Sequence, residues 1–203
     1  QVAGDGSDWT MEELRILGDI SMVIPVTVFD DGQHHKARVH EKPFKATLVY
    51  TPGALLTGGR AGIVDQEVLS GRNLDSDAYY RLYERRLLPV LKYISAAAGA
   101  KGKKAFVTIP GLGCGQFAGH LRGELQKHLK DALERLLETH HAGLPGIAAL
   151  WYDPYRNCPA ERRRIGDIDF MVRPLGEDGR MLAQLNPPEA YEEEGDDFAG
   201  CSL

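Results

Sequence analysis

Several common special-purpose readings fail on this sequence for want of material. Cysteine is scarce: Cys114, Cys158 and Cys201 are the only three, too few and too scattered for a disulfide framework. No CxxC or HExxH spacing offers a zinc site, so a reducing, metal-free setting without cofactor is expected. Basic charge is also short, with a net charge of -5 and a pI of about 5.8. That excludes a generally basic surface for nucleic acid, and the cluster Arg162 to Arg164 reads as solvated surface. No apolar run approaches the roughly 20 residues that span a bilayer, so no membrane segment is expected. Histidine is concentrated in one polar stretch as His34, His35 and His40. Adjacent residues of an extended chain point to opposite sides and no carboxylate or cysteine completes a site, so 33–42 reads as an inserted loop.

What is present suits one domain. The 203 residues can bury a core without disulfides or metal. The domain is placed at 1–190, as a monomer, and 191–203 reads as an acidic tail without periodicity. The chain opens on Gln1 rather than Met, so a processed product or an excised domain is expected. Thr10 with Glu13 three residues on forms a capping box, predicting a short helix through Leu17. One or two strands follow between Ile20 and Phe29, then a short strand over 46–50. A helix is predicted over 79–98, capped by Asp75 or Ser76 and kinked or restarted at Pro89. Ile147 to Tyr152 is apolar without a break, as in a strand covered on both faces. Ile165 to Val172 alternates with period two, predicting one final strand with Asp167 and Asp169 on one face.

The stretch around which the rest is organised is FVTIPGLGCGQFAG, 106–119. Phe106 to Ile109 form a buried strand that Pro110 closes. Glycines at 111, 113, 115 and 119 make a loop, and Leu121, Leu125, Leu129, Leu133 and Leu136 recur at the spacing of an amphipathic helix. Such a loop brings backbone N–H groups close to an anion. Two common nucleotide loops fit poorly: the P-loop needs Gly-Lys-Ser or Thr just before the helix, whereas Gly119 is followed by His120 and Leu121, and the dinucleotide pattern, which needs an acidic residue at the end of the next strand, fits no better. A second glycine pair, Gly58 and Gly59, precedes GIVDQEV, where 63–68 reads as the first turns of a helix.

GLGCGQFAG resembles the phosphate loop of macrodomains, and most closely the GCGxFGG stretch of poly(ADP-ribose) glycohydrolases, with Ala118 departing. TGGRAGIVDQE resembles the glycine triplet and following glutamates of the same enzymes. There Arg60 stands for the third glycine, Gln66 for the first glutamate, and the asparagine before the triplet is absent. Gly18-Asp19-Ile20-Ser21 is similar to a macrodomain tetrad whose aspartate accepts a hydrogen bond from adenine; the alternative is a turn aspartate capping a strand. The resemblance implies an α/β fold, three-layer α/β/α with a central mixed sheet. It implies ADP-ribose and ADP-ribosylated protein as partners, and hydrolysis of the bond at the anomeric carbon without a metal. Phosphate and ribose would fall to Gly58, Gly59, Arg60, Gly111, Gly113, Cys114, Gly115, Gln116 and Phe117, adenine to Asp19 and Tyr155, and catalysis to Glu67.

A carboxylate at 67 has chemical sense. Cleavage at a ribose anomeric carbon passes through an oxocarbenium-like state, which gains from negative charge, a protonated leaving group and an activated water. The alternative for Glu67 is an exposed helix glutamate. Asp65, Asp153, Asp167 and Asp169 are further carboxylates for a substrate side chain such as arginine, whose guanidinium matches paired carboxylates; for the last two the alternative is ion pairing with Arg162 to Arg164. The rival function is a module that reads ADP-ribose without cleaving it. Cytoplasm or nucleus is the expected compartment, with a secreted effector as the alternative.

Overall fold

A computed structural model describes residues 9–33, 36–58, 63–176 and 183–190. Gly59, Arg60, His34, His35, Cys201 and the tail 191–203 lie outside the described residues. The capping box forms: Thr10 Oγ1 accepts from the Glu13 amide, and Glu13 accepts the Thr10 N–H at 2.7 Å, starting α1 (Met11–Gly18). β1 (Met22–Asp30) and β2 (Val39–Tyr50) then pair antiparallel as a hairpin of their own. β2 begins seven residues earlier than the short strand expected at 46–50, absorbing His40, whose Nε2 bonds the Leu185 carbonyl at 2.8 Å.

The first glycine segment leads into a single 3-10 turn, Gln66–Val68, and a two-residue ribbon of β3 (Leu69–Ser70) with β4 (Asn73–Leu74). No α-helix starts at 63–68, because Asp65 is tied back to Leu55 and the chain turns at once into the ribbon. Asp75 caps α2 (Ser76–Gly99) by accepting the Ala78 N–H at 2.9 Å. Pro89 neither breaks nor restarts that helix. Leu82, Tyr83, Leu87, Val90, Leu91 and Ile94 bury one face on both sides of it, and tertiary packing outweighs the one missing N–H.

β5 (Ala105–Pro110), β6 (Ile147–Asp153), β7 (Glu161–Ile165) and β8 (Ile168–Val172) form a mixed sheet in the order β5-β6-β8-β7. β5, β6 and β8 run parallel, and β7 is antiparallel at the edge. The single strand expected over 165–172 is therefore a hairpin. Gly166, at φ +57, turns the chain at Gly166-Asp167, and Ile165 pairs with Ile168. α2 and α3 (Leu125–His140) pack on each other and on the sheet face built from Val107, Ile109, Leu150, Phe170 and Val172. The opposite face carries Phe106, Ala149 and Trp151, their two aromatic rings edge to face at 4.9 Å. β6 is thus buried on both sides, as its unbroken apolarity requires. An apolar cavity of about 720 Å³ separates the β1–β2 hairpin from α2 and the free edge of β5, lined by Val26, Val28, Leu48, Val90, Ile94 and Ile109 among others.

Candidate functional site

The carboxyl ends of β2 and β5 carry the two glycine segments, and the chain brings these together backbone to backbone. A Cβ on Gly53 would stand 2.2 Å from the Gly113 nitrogen, and one on Gly119 would stand 2.6 Å from the Leu56 carbonyl oxygen. Gly113 and Gly119 also hold φ of +73 and +59, so glycine is required there twice over. The Leu56 N–H donates to the Phe117 carbonyl at 2.8 Å. Tyr83 fastens both segments from below: its hydroxyl accepts the Ala54 N–H at 3.0 Å and donates to the Leu112 carbonyl at 2.7 Å.

Within the loop, the Cys114 N–H is spent on the Gly111 carbonyl and the Leu112 N–H on Pro110. Among the described residues nothing accepts from the N–H groups of Gly115, Gln116 and Phe117, all three exposed. These three amides are free to meet an anion. They open a 3-10 segment, Gln116–Leu121, while α3 begins only at Leu125. The long helix therefore does not follow the loop directly, because Gly119 and Gly123 both take positive φ and interrupt it. Cys114 contributes no side chain to this surface. It is buried, and burial pushes its thiol up to about 12, only partly opposed by a hydrogen bond with Tyr152. The thiol stays protonated at neutral pH, so Cys114 is expected to resist iodoacetamide in native protein at pH 8 and to react in denaturant, read by peptide mass.

The lip of the first segment is fixed by carboxylates and two arginines of α2. Asp65 accepts the Leu55 N–H at 2.7 Å, and the Asp65 N–H returns to the Leu55 carbonyl at 3.3 Å. Arg86, its side chain 1% exposed, donates twice to Asp65 at 2.7 and 3.2 Å, to the Gly53 carbonyl at 3.0 Å and through Nε to Asp19 at 3.0 Å. Arg85 lies outside it, half exposed, donating through Nε to Asp19 at 2.7 Å and through a terminal nitrogen to Glu67 at 2.9 Å. Burial works against the charge of Arg85, but these two carboxylates outweigh it and hold its pKa above the ordinary value. Glu67 keeps its carboxylate at the surface, on the 3-10 turn just after Asp65.

The other expected residues divide. Gly58 is exposed, and a Cβ there would lie 3.8 Å from the Ile63 side chain, an ordinary contact. Gly111 sits at the loop entrance, where a Cβ would lie 3.4 Å from that of Cys114. Tyr155 follows β6 at the same end of the sheet, half exposed, with the Arg156 guanidinium over its ring at 5.0 Å. Asp153 is buried in a two-bond pair with Arg173 at 3.0 and 2.9 Å; burial raises its pKa against the pull of that arginine. Asp65 likewise is engaged inside the protein. Asp167 and Asp169 are at the amino end of β8, the far end of the sheet from the loop, and Asp169 pairs with Arg162 at 3.1 Å. The alternative of ion pairing with the arginine cluster therefore describes Asp169. The cavity beside β5 holds none of the candidate side chains.

Sequence reasoning missed Arg85, Arg86 and Tyr83. Arg86 left one trace: it stands on the apolar face of α2, four residues after Leu82 and four before Val90, where a charged side chain requires a buried partner. The two glycine segments thus meet backbone to backbone beyond β2 and β5, with exposed residues in a GxGCGxF loop. A family model described as Macrodomain effector MavL matches residues 1–203. The chain belongs to that family of macrodomain effectors. Membership implies ADP-ribose binding. The effector description agrees with the alternative of a secreted protein, and among the described residues no helix is long and apolar enough to cross a membrane. No group of three His, Cys, Asp or Glu among the described residues is placed to hold a metal ion. No curated protein matches the chain.

Proposed function

We propose that this macrodomain is an ADP-ribosyl hydrolase, cleaving the bond that joins the anomeric carbon of ADP-ribose to a protein side chain, arginine among the candidates, or to another ADP-ribose. The observation that supports it most is Glu67: a surface carboxylate held in one orientation by Arg85, on a turn pinned through Asp65 to the lip of the glycine segments. A module that only reads ADP-ribose has no use for such a group. The diphosphate lies on the N–H groups of Gly115, Gln116 and Phe117, whose exposed donors match its charge. The adjoining ribose reaches the lip at Glu67. Water attacks its anomeric carbon as Glu67 accepts a proton from the water. The bond to the leaving atom breaks with its electron pair going to that atom, which then takes up the proton from Glu67.

The deciding experiment incubates the protein with mono- and poly-ADP-ribosylated substrates and identifies released product by mass; no release from either would leave only the reader. The loop is tested separately by Gly115→Glu. A Cβ there meets nothing within 4 Å, so the added side chain has room, and its carboxylate fills the cradle and repels phosphate. Calorimetry should show ADP-ribose binding lost, and undiminished affinity would remove the diphosphate from this loop.

A further inference from the structure

Asp19 and Glu67 share one guanidinium. The two bonds from Arg85, 2.7 and 2.9 Å, leave the bonded carboxylate oxygens at most about 8 Å apart. An adenine amino group and the reacting anomeric carbon of ADP-ribose are separated by two riboses and a diphosphate. Carboxylates this close do not serve both ends of an extended ligand. Glu67 is held to the lip by its own turn, and Asp19 is brought to the same lip by Arg86, which also grips the Gly53 carbonyl. Among the described residues no contact joins Asp19 to Tyr155, the other candidate for adenine.

We infer that Asp19 belongs to the reacting end of the site, as a second carboxylate beside the ribose that is cleaved, and that adenine is recognised elsewhere. Both the role and the placement rest on the hydrolase reading, which sets Glu67 at the reacting ribose; a comparison of ligands tests the placement by itself. An upper bound of about 8 Å is compatible with the roughly 5 to 9.5 Å over which carboxylate pairs act at a glycosidic centre. Asp19 is one-third exposed on its side chain and faces solvent beside Glu67. There it accepts a hydrogen bond from a hydroxyl of that ribose, and its negative charge favours the oxocarbenium-like state. Arg85 is the positioning residue that keeps the two carboxylates side by side.

Comparing ADP-ribose with ADP as ligands separates the two ends, since ADP lacks the reacting ribose and retains adenine. Asp19→Asn should weaken ADP-ribose by roughly ten- to a hundredfold, the loss of a charged hydrogen bond, and leave ADP unchanged in calorimetry. An equal loss for both ligands would return Asp19 to adenine, and no change for either would reduce it to a clasp for the arginines; each overturns the inference. Thermal unfolding accompanies the titration. Should Asp19→Asn not fold, Arg85→Ala, a change at a half-exposed side chain, carries the same test, with loss for ADP-ribose alone expected. Absence of turnover on every substrate, with the ADP-ribose effect present, would sink the hydrolase reading and leave this placement standing.

Discussion

Glu67→Gln is expected to lower turnover by at least about a hundredfold, the usual consequence of removing a general acid or base, with ADP-ribose affinity kept within a few-fold. The amide preserves the size of the side chain and still offers an oxygen to Arg85, so the turn Gln66–Val68 and its ties through Asp65 to Leu55 stay in place. What it loses is the ability to take a proton from water and pass it to the leaving atom. Single-turnover rates measured with product identified by mass, beside calorimetry with ADP-ribose, read the two quantities separately. A mutant that turns over normally would free Glu67 of its role and turn attention to Asp19, the other exposed carboxylate at the lip. A mutant that loses affinity in step with rate would instead mark Glu67 as a binding group.

The parts of this site that were legible in the sequence are those whose chemistry is local. Glycines at 113 and 119, the cap at Asp75 and the strand closed by Pro110 each answer to backbone conformation within a few residues, and each forms as its neighbours dictate. Relations between distant segments were not legible. Nothing near Gly53 announces that its Cα must pass against the nitrogen of Gly113, sixty residues away, and Tyr83 reads as core until its hydroxyl is seen between the two segments. Alternation misled at 165–172 because a two-residue turn preserves the parity of the pattern: Asp167 is a turn residue and Asp169 a strand residue, yet both fall on the polar beat. At 63–68 the apolar spacing of a helix start was real, but the carboxylate of Asp65 found a partner in Leu55 before a second turn formed. Asp19 shows a subtler limit. Its tetrad is recognisable, but its partners Arg85 and Arg86 on α2, more than sixty residues on, are not announced by anything near it.

The largest effect on stability is expected at Arg86. Replacing it by Met keeps much of the apolar stem and removes the guanidinium, leaving Asp65 with its side chain 3% exposed and without its counter-charge, the Gly53 carbonyl without its donor and Asp19 with Arg85 alone. A buried carboxylate stripped of its partner typically costs about 3–5 kcal/mol, a large share of what a domain of this size has. Chemical denaturation should therefore show the midpoint of Arg86→Met sharply lowered. Adding Asp65→Asn tests the cause. Asparagine still offers an oxygen to the Leu55 N–H but carries no charge, so the double variant should recover a substantial part of the lost stability. It should not recover ADP-ribose affinity, because the grip of Arg86 on Asp19 and on the Gly53 carbonyl, which together hold α1 against the lip, stays absent. If the double variant proves as unstable as the single one, the cost lies in the packing of the arginine stem on α2 rather than in an unpaired charge. If it recovers affinity along with stability, Arg86 supports the fold alone and the lip of the site is set by Arg85 and the Asp65–Leu55 bonds.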